Sequence, residues 1–360
     1  MSDPTQEETR EAILTATVAA VTAVIVAKAA EAQLLLLTRF AKLVGLYGVG
    51  DLLLHSMRKA SADVAASWKA AVPGLAAQVV GRASHDGASA GGGSGGTFAP
   101  KFGVAGDSYE SHAERSARAI REDLAGKLNQ IGYRLTRYAD DVYRAVLADA
   151  AQAQVLGLTP AQAQHEAYRK LVREGVTGFV DSKGRNWELS AYVEMATRTA
   201  AQRAFNVSHL DRMQSLGLDL FTVTDDGHPC PLCLPWQGKI LSVLPDGRAD
   251  ATIPEATAAG LFHPRCRHVL VGYIPGVTEI PAPHEWTPED EARYVESQRQ
   301  RKLERDIRAA KRELAAAVTP EMRSRAQFSV RRAQAKMRDF IEQTGRVRNK
   351  RRELLNLGAN

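Results

Sequence analysis

Three cysteines and a handful of histidines are the residues of this chain best equipped for chemistry. Cys230, Cys233 and Cys266 are all the cysteine it contains, and they share one short stretch. In Cys230-Pro-Leu-Cys233 a tight turn carries two thiols toward one side, the spacing with which protein chains clasp a tetrahedral ion. Pro229, Pro231 and Pro235 stiffen that turn. After 29 further residues, His263-Pro-Arg-Cys266 repeats the two-residue spacing. Cys230, Cys233, His263 and Cys266 together compose a Cys3His set for a closed, structural Zn2+ site, with His268 in reserve and His228 as a further spare. His268 lies two residues past Cys266, so an extended chain turns both to one face. Two other readings stand beside zinc. The thiols are neutral and buried in hydrogen-bonded turns, or the Cys-x-x-Cys is a redox pair. A redox pair opens a helix after a strand, and Pro235 with Gly238 disfavours a helix there.

An odd number of cysteines in one region makes a poor disulfide framework and suits a reducing compartment. A catalytic zinc would need an open coordination position and a nearby base. No His-Glu-x-x-His occurs. The deaminase pattern, a His-x-Glu ahead of Pro-Cys-x-x-Cys, is met only by His112-Ala113-Glu114, more than 110 residues upstream. Asp225, Asp226 and His228 would suit a metal-dependent nuclease, but aspartates ahead of Gly227 are ordinary turn formers. The expectation is therefore a protein that is not an enzyme.

The elements around this module read as mainly α. Residues 12–27 are uncharged but fall short of the ~20 that a bilayer span requires. They continue into Leu34-Leu35-Leu36-Leu37, and one long buried helix or two is expected through His55. Such a helix must bury itself against a core or a partner, and membrane contact is the less favoured alternative. The polar, acidic start MSDPTQEETREA is not a secretory signal. A second helix is expected over 61–82. The run GASAGGGSGG at 87–96 has linker composition and marks the clearest boundary. Ile120, Leu124, Leu128, Ile131, Leu135, Tyr138, Val142 and Val146 recur at helical spacing. Thr159-Pro160 starts a helix to about 174, turn residues follow at 175–184, and 190–216 forms a long helix. Strands are expected at 219–224, 239–243 and 268–274. The tail is helical, divided by Thr319-Pro320 and Gly345, with a thin apolar stripe of Leu303, Ile307, Leu314, Met337, Phe340 and Ile341 that suits antiparallel packing.

The expected organisation is an N-terminal apolar helical region (1–86), a Gly/Ser linker (87–100), a central helical domain (101–218), a Cys/His β module (219–283) and a basic helical tail (284–360). The chain carries a net charge of +6. From Glu285 onward 19 Lys and Arg face 12 Asp and Glu, so the excess lies in the tail. Arg308, Lys311, Arg312, Arg331, Arg332, Lys336, Arg346, Arg348, Lys350, Arg351 and Arg352 are its candidate contacts to DNA or a partner. Interleaved acids make a solvated helix face the simpler account.

Several short motifs occur together in order. Gly184-Arg185-Asn186-Trp187-Glu188-Leu189 is followed by Tyr192-Val193-Glu194-Met195-Ala196-Thr197-Arg198-Thr199. Trp236-Gln237-Gly238-Lys239 comes next, then Cys266-Arg267-His268 and Tyr273-Ile274-Pro275-Gly276. In these the chain resembles the phage minor capsid protein 2 family and the wider Mu F-like minor head proteins of tailed bacteriophages, over about 109–276 and more loosely the tail. Cys233 stands where the family pattern has histidine, an exchange of one zinc ligand for another. The resemblance implies a minor virion protein inside the head near the portal, made in the host cytoplasm. Its implied partners are the portal protein, a major capsid or scaffold protein, and packaged phage DNA, and the resemblance leaves open whether it departs with the genome. A toxin-like nuclease or transferase effector delivered with phage DNA is the alternative. Arg185, Arg198 and Lys239 read as phosphate or partner contacts, or as structural partners of Glu188, Glu194 or backbone carbonyls. Trp187 and Trp236 read as core anchors.

Overall fold

The computed structural model describes residues 6–47, 51–92, 106–155, 169, 172–180, 186–224, 230–263, 266, 268–280, 285–317 and 319–355. Long helices dominate: α1 (Gln6–Tyr47), α2 (Asp51–Gly92), α3 (Gly106–Val155), α4 (Leu189–Ser215), α6 (Pro288–Ala315) and α7 (Pro320–Thr344). A short α5 (Ile253–Ala258) lies within the β region. In α1 the buried residues Leu14, Val18, Val21, Ile25, Ala29, Leu36, Phe40 and Val44 recur every three or four positions, give or take a turn, forming one stripe. By length and composition the window Ala12–Val44 is apolar enough to cross a membrane, and 44% of it is buried inside the protein.

Helix α2 outruns the sequence expectation at both ends. Leu53, Met57, Ala60, Val64, Trp68, Val72, Ala76, Val79 and Ala83 are all buried, and this repeat runs straight through Pro73. An interior proline costs about 3 kcal/mol, so side-chain burial along the whole stripe outweighs it. Residues 87–92 of the glycine run are the last turns of this helix. Gly87 is buried, and a Cβ there would lie 2.3 Å from the Phe205 carbonyl oxygen. Glycine at 87 thus serves close backbone approach, a use that composition does not separate from flexibility. The rest of the run, the helix start at Thr159-Pro160 and the turn at 181–184 lie outside the described residues.

The chain divides into two compact units, each assembled from three segments. One comprises Ala23–Pro73, Gly126–Glu194 and Val295–Asn360. Trp68, 1% exposed, donates its indole N–H to the Leu128 carbonyl at 2.8 Å, and Phe40 stacks on Tyr138. Trp68→Phe removes that hydrogen bond from a carbonyl inside α3 and is expected to cost about 0.5–1.5 kcal/mol in chemical denaturation. Trp68→Ala adds a cavity and is expected to cost about 3–5 kcal/mol. A two-strand antiparallel pair, β1 (Phe179–Val180) and β2 (Asn186–Trp187), precedes α4. In the tail, Ile307 of α6 packs on Met337 and Phe340 of α7, with Leu303, Ala333 and Ile341 alongside. The apolar stripes of the two helices therefore cover each other in antiparallel fashion. Thr319 caps α7 by accepting from the Met322 N–H, and Gly345 ends it with φ +66°.

The other unit comprises Met1–Thr22, Gly74–Ala125 and Met195–Tyr294. Its sheet has the order β5-β4-β3-β6, where β3 is Leu220–Val223, β4 Ile240–Ser242, β5 Ala251–Thr252 and β6 Leu270–Gly272. β3 pairs antiparallel with β4 and β6, in register Phe221↔Leu241 and Thr222↔Val271. The parallel β4–β5 pair is an addition to the three expected strands. Thr252 closes β5 and also caps α5, in a reciprocal bond pair with Glu255.

Candidate metal centre

The Cys/His residues sit at the ends of these short strands. Cys230 to Gly238 form two consecutive turns: Cys233 N–H donates to the Cys230 carbonyl at 3.1 Å and Trp236 N–H to the Cys233 carbonyl at 3.0 Å. Gly238, with φ +73°, releases the chain into β4. A matching turn joins Cys266 N–H to the His263 carbonyl at 2.9 Å. The first turn brings Cys230 and Cys233 into one donor trio, whereas His263 and Cys266 fall in different ones. Phe262, just before His263, holds φ +58°, which a bulky residue adopts only at a cost. The module is anchored from below. Cys233 is fully buried among Met213, Phe221, Leu241, Leu261 and Leu270, and Cys230, Trp236 and Cys266 flank that cluster.

Two donor trios overlap here. Cys230, Cys233 and His263 form one trio and Cys233, Cys266 and His268 a second, and within each trio all ligand atoms lie within 4.8 Å. Cys233 belongs to both. Cys233 Sγ is 3.6 Å from Cys266 Sγ, Cys230 Sγ is 3.1 Å from His263 Nε2, and Cys266 Sγ is 3.2 Å from His268 Nδ1. A tetrahedron with metal–sulfur bonds of about 2.3 Å has sulfur–sulfur edges of roughly 3.8 Å, so the separation of Cys233 and Cys266 suits two ligands of a small ion. The hydrogen-bonding fits as well. The Cys230 thiol is held far below its usual range, to about 3, by its bond with Cys233 and then by His263 and the Leu232 and Cys233 backbone, against burial. Cys266 is held at about 4 by Cys233 and His268, also against burial. Cys233, between two such sulfurs, is pushed upward by its hydrogen bonds to Cys230 and Cys266 and by burial. The downward shifts at Cys230 and Cys266 favour the thiolate, the form in which cysteine ligates a cation. The donor set of thiolates and imidazole favours a borderline-soft divalent ion.

Of the sequence-derived set, Cys230, Cys233 and His263 fall in one trio, and Cys266 falls in the other with Cys233 and the reserve His268. His228, Asp225, Asp226 and Arg185 lie outside the described residues. Gln237 escaped notice in the sequence, yet its side-chain nitrogen is 3.2 Å from His268 Nε2. Lys239 lies over the Trp236 ring at 5.3 Å.

The basic residues of the tail separate into two groups. Arg312 donates to the Arg173 carbonyl at 2.8 Å and faces Glu188 at 3.7 Å. Arg308 donates to the Arg352 carbonyl, and Arg352 pairs with Glu304 and Glu194. Arg346 pairs with Gln300 and Glu296, and Arg348 with Glu353. Glu194 and Glu188 thus have arginine partners from the tail. Burial draws the half-buried Lys311 downward in pKa. Arg331, Arg332, Lys336, Lys350 and Arg351 are exposed or partly so, and Arg332 and Lys336 are four residues apart on α7, hence on one face. The arginines in the first group have internal roles that charge counting along the sequence could not separate from surface ones.

A mainly helical protein with a cysteine-rich clasp and no long sheet among the described residues is the setting for the comparisons with known proteins. The model of the family "Phage minor capsid protein 2" matches residues 105–342, which include the clasp and nearly all of α7. The chain belongs to that family, a class of bacteriophage structural proteins. It is also 26% identical over 215 residues to a "Structural protein" of Lactococcus phage LL-H, a match that covers 56% of this chain and spans 58% of the relative's length. No solved structure matches.

Proposed function

We propose that the protein is a minor component of the phage head that docks on the portal and lies against packaged DNA, its β module held closed by one structural Zn2+. The family match across the clasp and the tail helices carries this reading. The position inside the head near the portal, contacts with a major capsid or scaffold protein, and departure with the genome belong to the same reading. The basic face of α7, with Arg331, Arg332 and Lys336, suits phosphate, and Arg346 and Arg352 tie the segment that follows α7 to α6.

Two measurements test it. Co-purification of the tagged full chain with the portal protein should give a stable complex, and the absence of one sinks the docking role. Retention on duplex DNA should fall steeply with salt. Arg331→Gln, Arg332→Gln and Lys336→Gln together should reduce the log–log salt slope by up to about 3, roughly one for each phosphate that is no longer neutralised. A slope unchanged in the triple variant would exclude this face as the DNA-binding surface.

A further inference from the structure

The two trios share Cys233 and between them offer three sulfurs and two imidazoles, one donor more than a single tetrahedral ion takes, so one histidine is surplus. We infer that His268 is the fourth ligand, that Gln237 is the residue that positions it, and that His263 is an outer hydrogen-bond partner of the Cys230 sulfur. This rests on the metal reading above. It reverses the order suggested by sequence spacing, which puts His263 first because it mirrors the Cys-x-x-Cys.

Burial separates the two imidazoles. His268 is 2% exposed, whereas His263 is only partly buried. His268 is also gripped at both ring nitrogens, with Nδ1 facing Cys266 Sγ at 3.2 Å and Nε2 facing the Gln237 side chain at 3.2 Å. Gln237 is itself 4% exposed and fixed by the turn that follows Cys233. The ring is therefore oriented before any ion arrives, as an outer-sphere partner does for metal-bound histidine.

The proton arrangement follows from the amide. Its oxygen and nitrogen exchange places by a half-turn of the side chain, and which one faces the ring is set by the hydrogen bond it must make. With Oε1 toward the ring, Nε2–H donates to Gln237 and the Nδ1 lone pair points at the sulfurs. That is the tautomer a ligand requires. His263 meets the Cys230 sulfur at 3.1 Å. In the outer role it donates its Nε2–H to the Cys230 thiolate and disperses charge there. Two sequence motifs, Trp236-Gln237-Gly238-Lys239 and Cys266-Arg267-His268, whose Gln237 and His268 are 31 residues apart, are thus halves of one device.

The test is Co2+ loading of the full-length protein under reducing conditions, followed by visible spectroscopy and Zn2+ competition against a chromophoric chelator. His263→Gln should keep the tetrahedral three-sulfur, one-nitrogen spectrum, with Zn2+ affinity within about tenfold. His268→Gln should lose that spectrum. His268→Cys guards against simple misfolding, because it should bind Co2+ with stronger sulfur-to-cobalt charge transfer. Gln237→Leu should keep the spectrum but weaken Zn2+ by about 10–100-fold, and Gln237→Glu, which still accepts from Nε2–H, should recover most of that loss. An unaltered spectrum in His268→Cys, or its loss in His263→Gln, overturns the ligand assignment. Unchanged affinity in Gln237→Leu overturns the positioning role. Failure of the unmodified protein to bind either ion removes the metal reading itself, a different result from all of these.

Discussion

Cys233→Ala is expected to release the bound metal and to destabilise the β module by several kcal/mol, far more than the loss of one small buried side chain. Cys233 sits in both donor trios and is fully buried in the local apolar cluster. If it were only a packed thiol, replacement by alanine would cost about 1 kcal/mol. If it holds an ion, that ion's binding energy goes with it, and in small zinc modules binding energy is folding energy. The two outcomes differ enough for thermal melting to separate them. Metal content should fall from about one equivalent to background, and a chelator should lower the melting temperature of the parent while leaving the variant unaffected. A parent indifferent to chelator, with a variant that melts alongside it, would leave hydrogen-bonded thiols as the account of the site.

The second large effect lies in the other unit. Arg312→Ala should cost about 3–5 kcal/mol, the usual result of leaving buried partners of an ion pair uncompensated. The Arg312 side chain is 9% exposed and the Glu188 side chain 16%. Glu188 also caps α4, accepting from the Ser190 and Ala191 N–H groups at 3.2 and 3.3 Å, and receives the Gln33 side-chain nitrogen at 2.7 Å. Gln33 in turn accepts from the Val176 N–H at 2.8 Å through Oε1. Removing the guanidinium leaves this carboxylate and the Arg173 carbonyl without their cation. Paired replacement, Arg312→Met with Glu188→Gln, should recover part of the loss because the stranded charge is removed as well. Equilibrium denaturation of the single and paired variants measures the coupling. If Arg312→Ala instead weakened DNA retention at unchanged stability, the residue would belong to the surface group after all.

Much of this was legible in the chain. Thr319-Pro320 and Gly345 announced the ends of α7 because a cap and a left-handed residue need particular side chains. The Cys-x-x-Cys and His-x-x-Cys spacings were visible because each is a short local pattern. What stayed hidden depends on distance along the chain or on chemistry without a signature. A neutral glutamine such as Gln237 carries no mark of the histidine it will meet. Arg312 and Arg331 look alike in a charge count, and only packing separates the buried one from the one on the surface. Strand β5 is two residues long, too short for alternation to declare itself, and Thr252 in it serves equally as a helix cap.

The close approach of Gly87 to Phe205 bears on how the protein can be altered. A run of glycines and serines is where one would first place a fluorophore, a tag or an inserted peptide. At position 87 even a methyl group must move a backbone carbonyl by about 1 Å to reach ordinary packing distance, because 2.3 Å would have to become 3.4 Å. A saturation scan across the run should therefore find intolerance at Gly87, within a stretch that composition alone would nominate as a place for cargo.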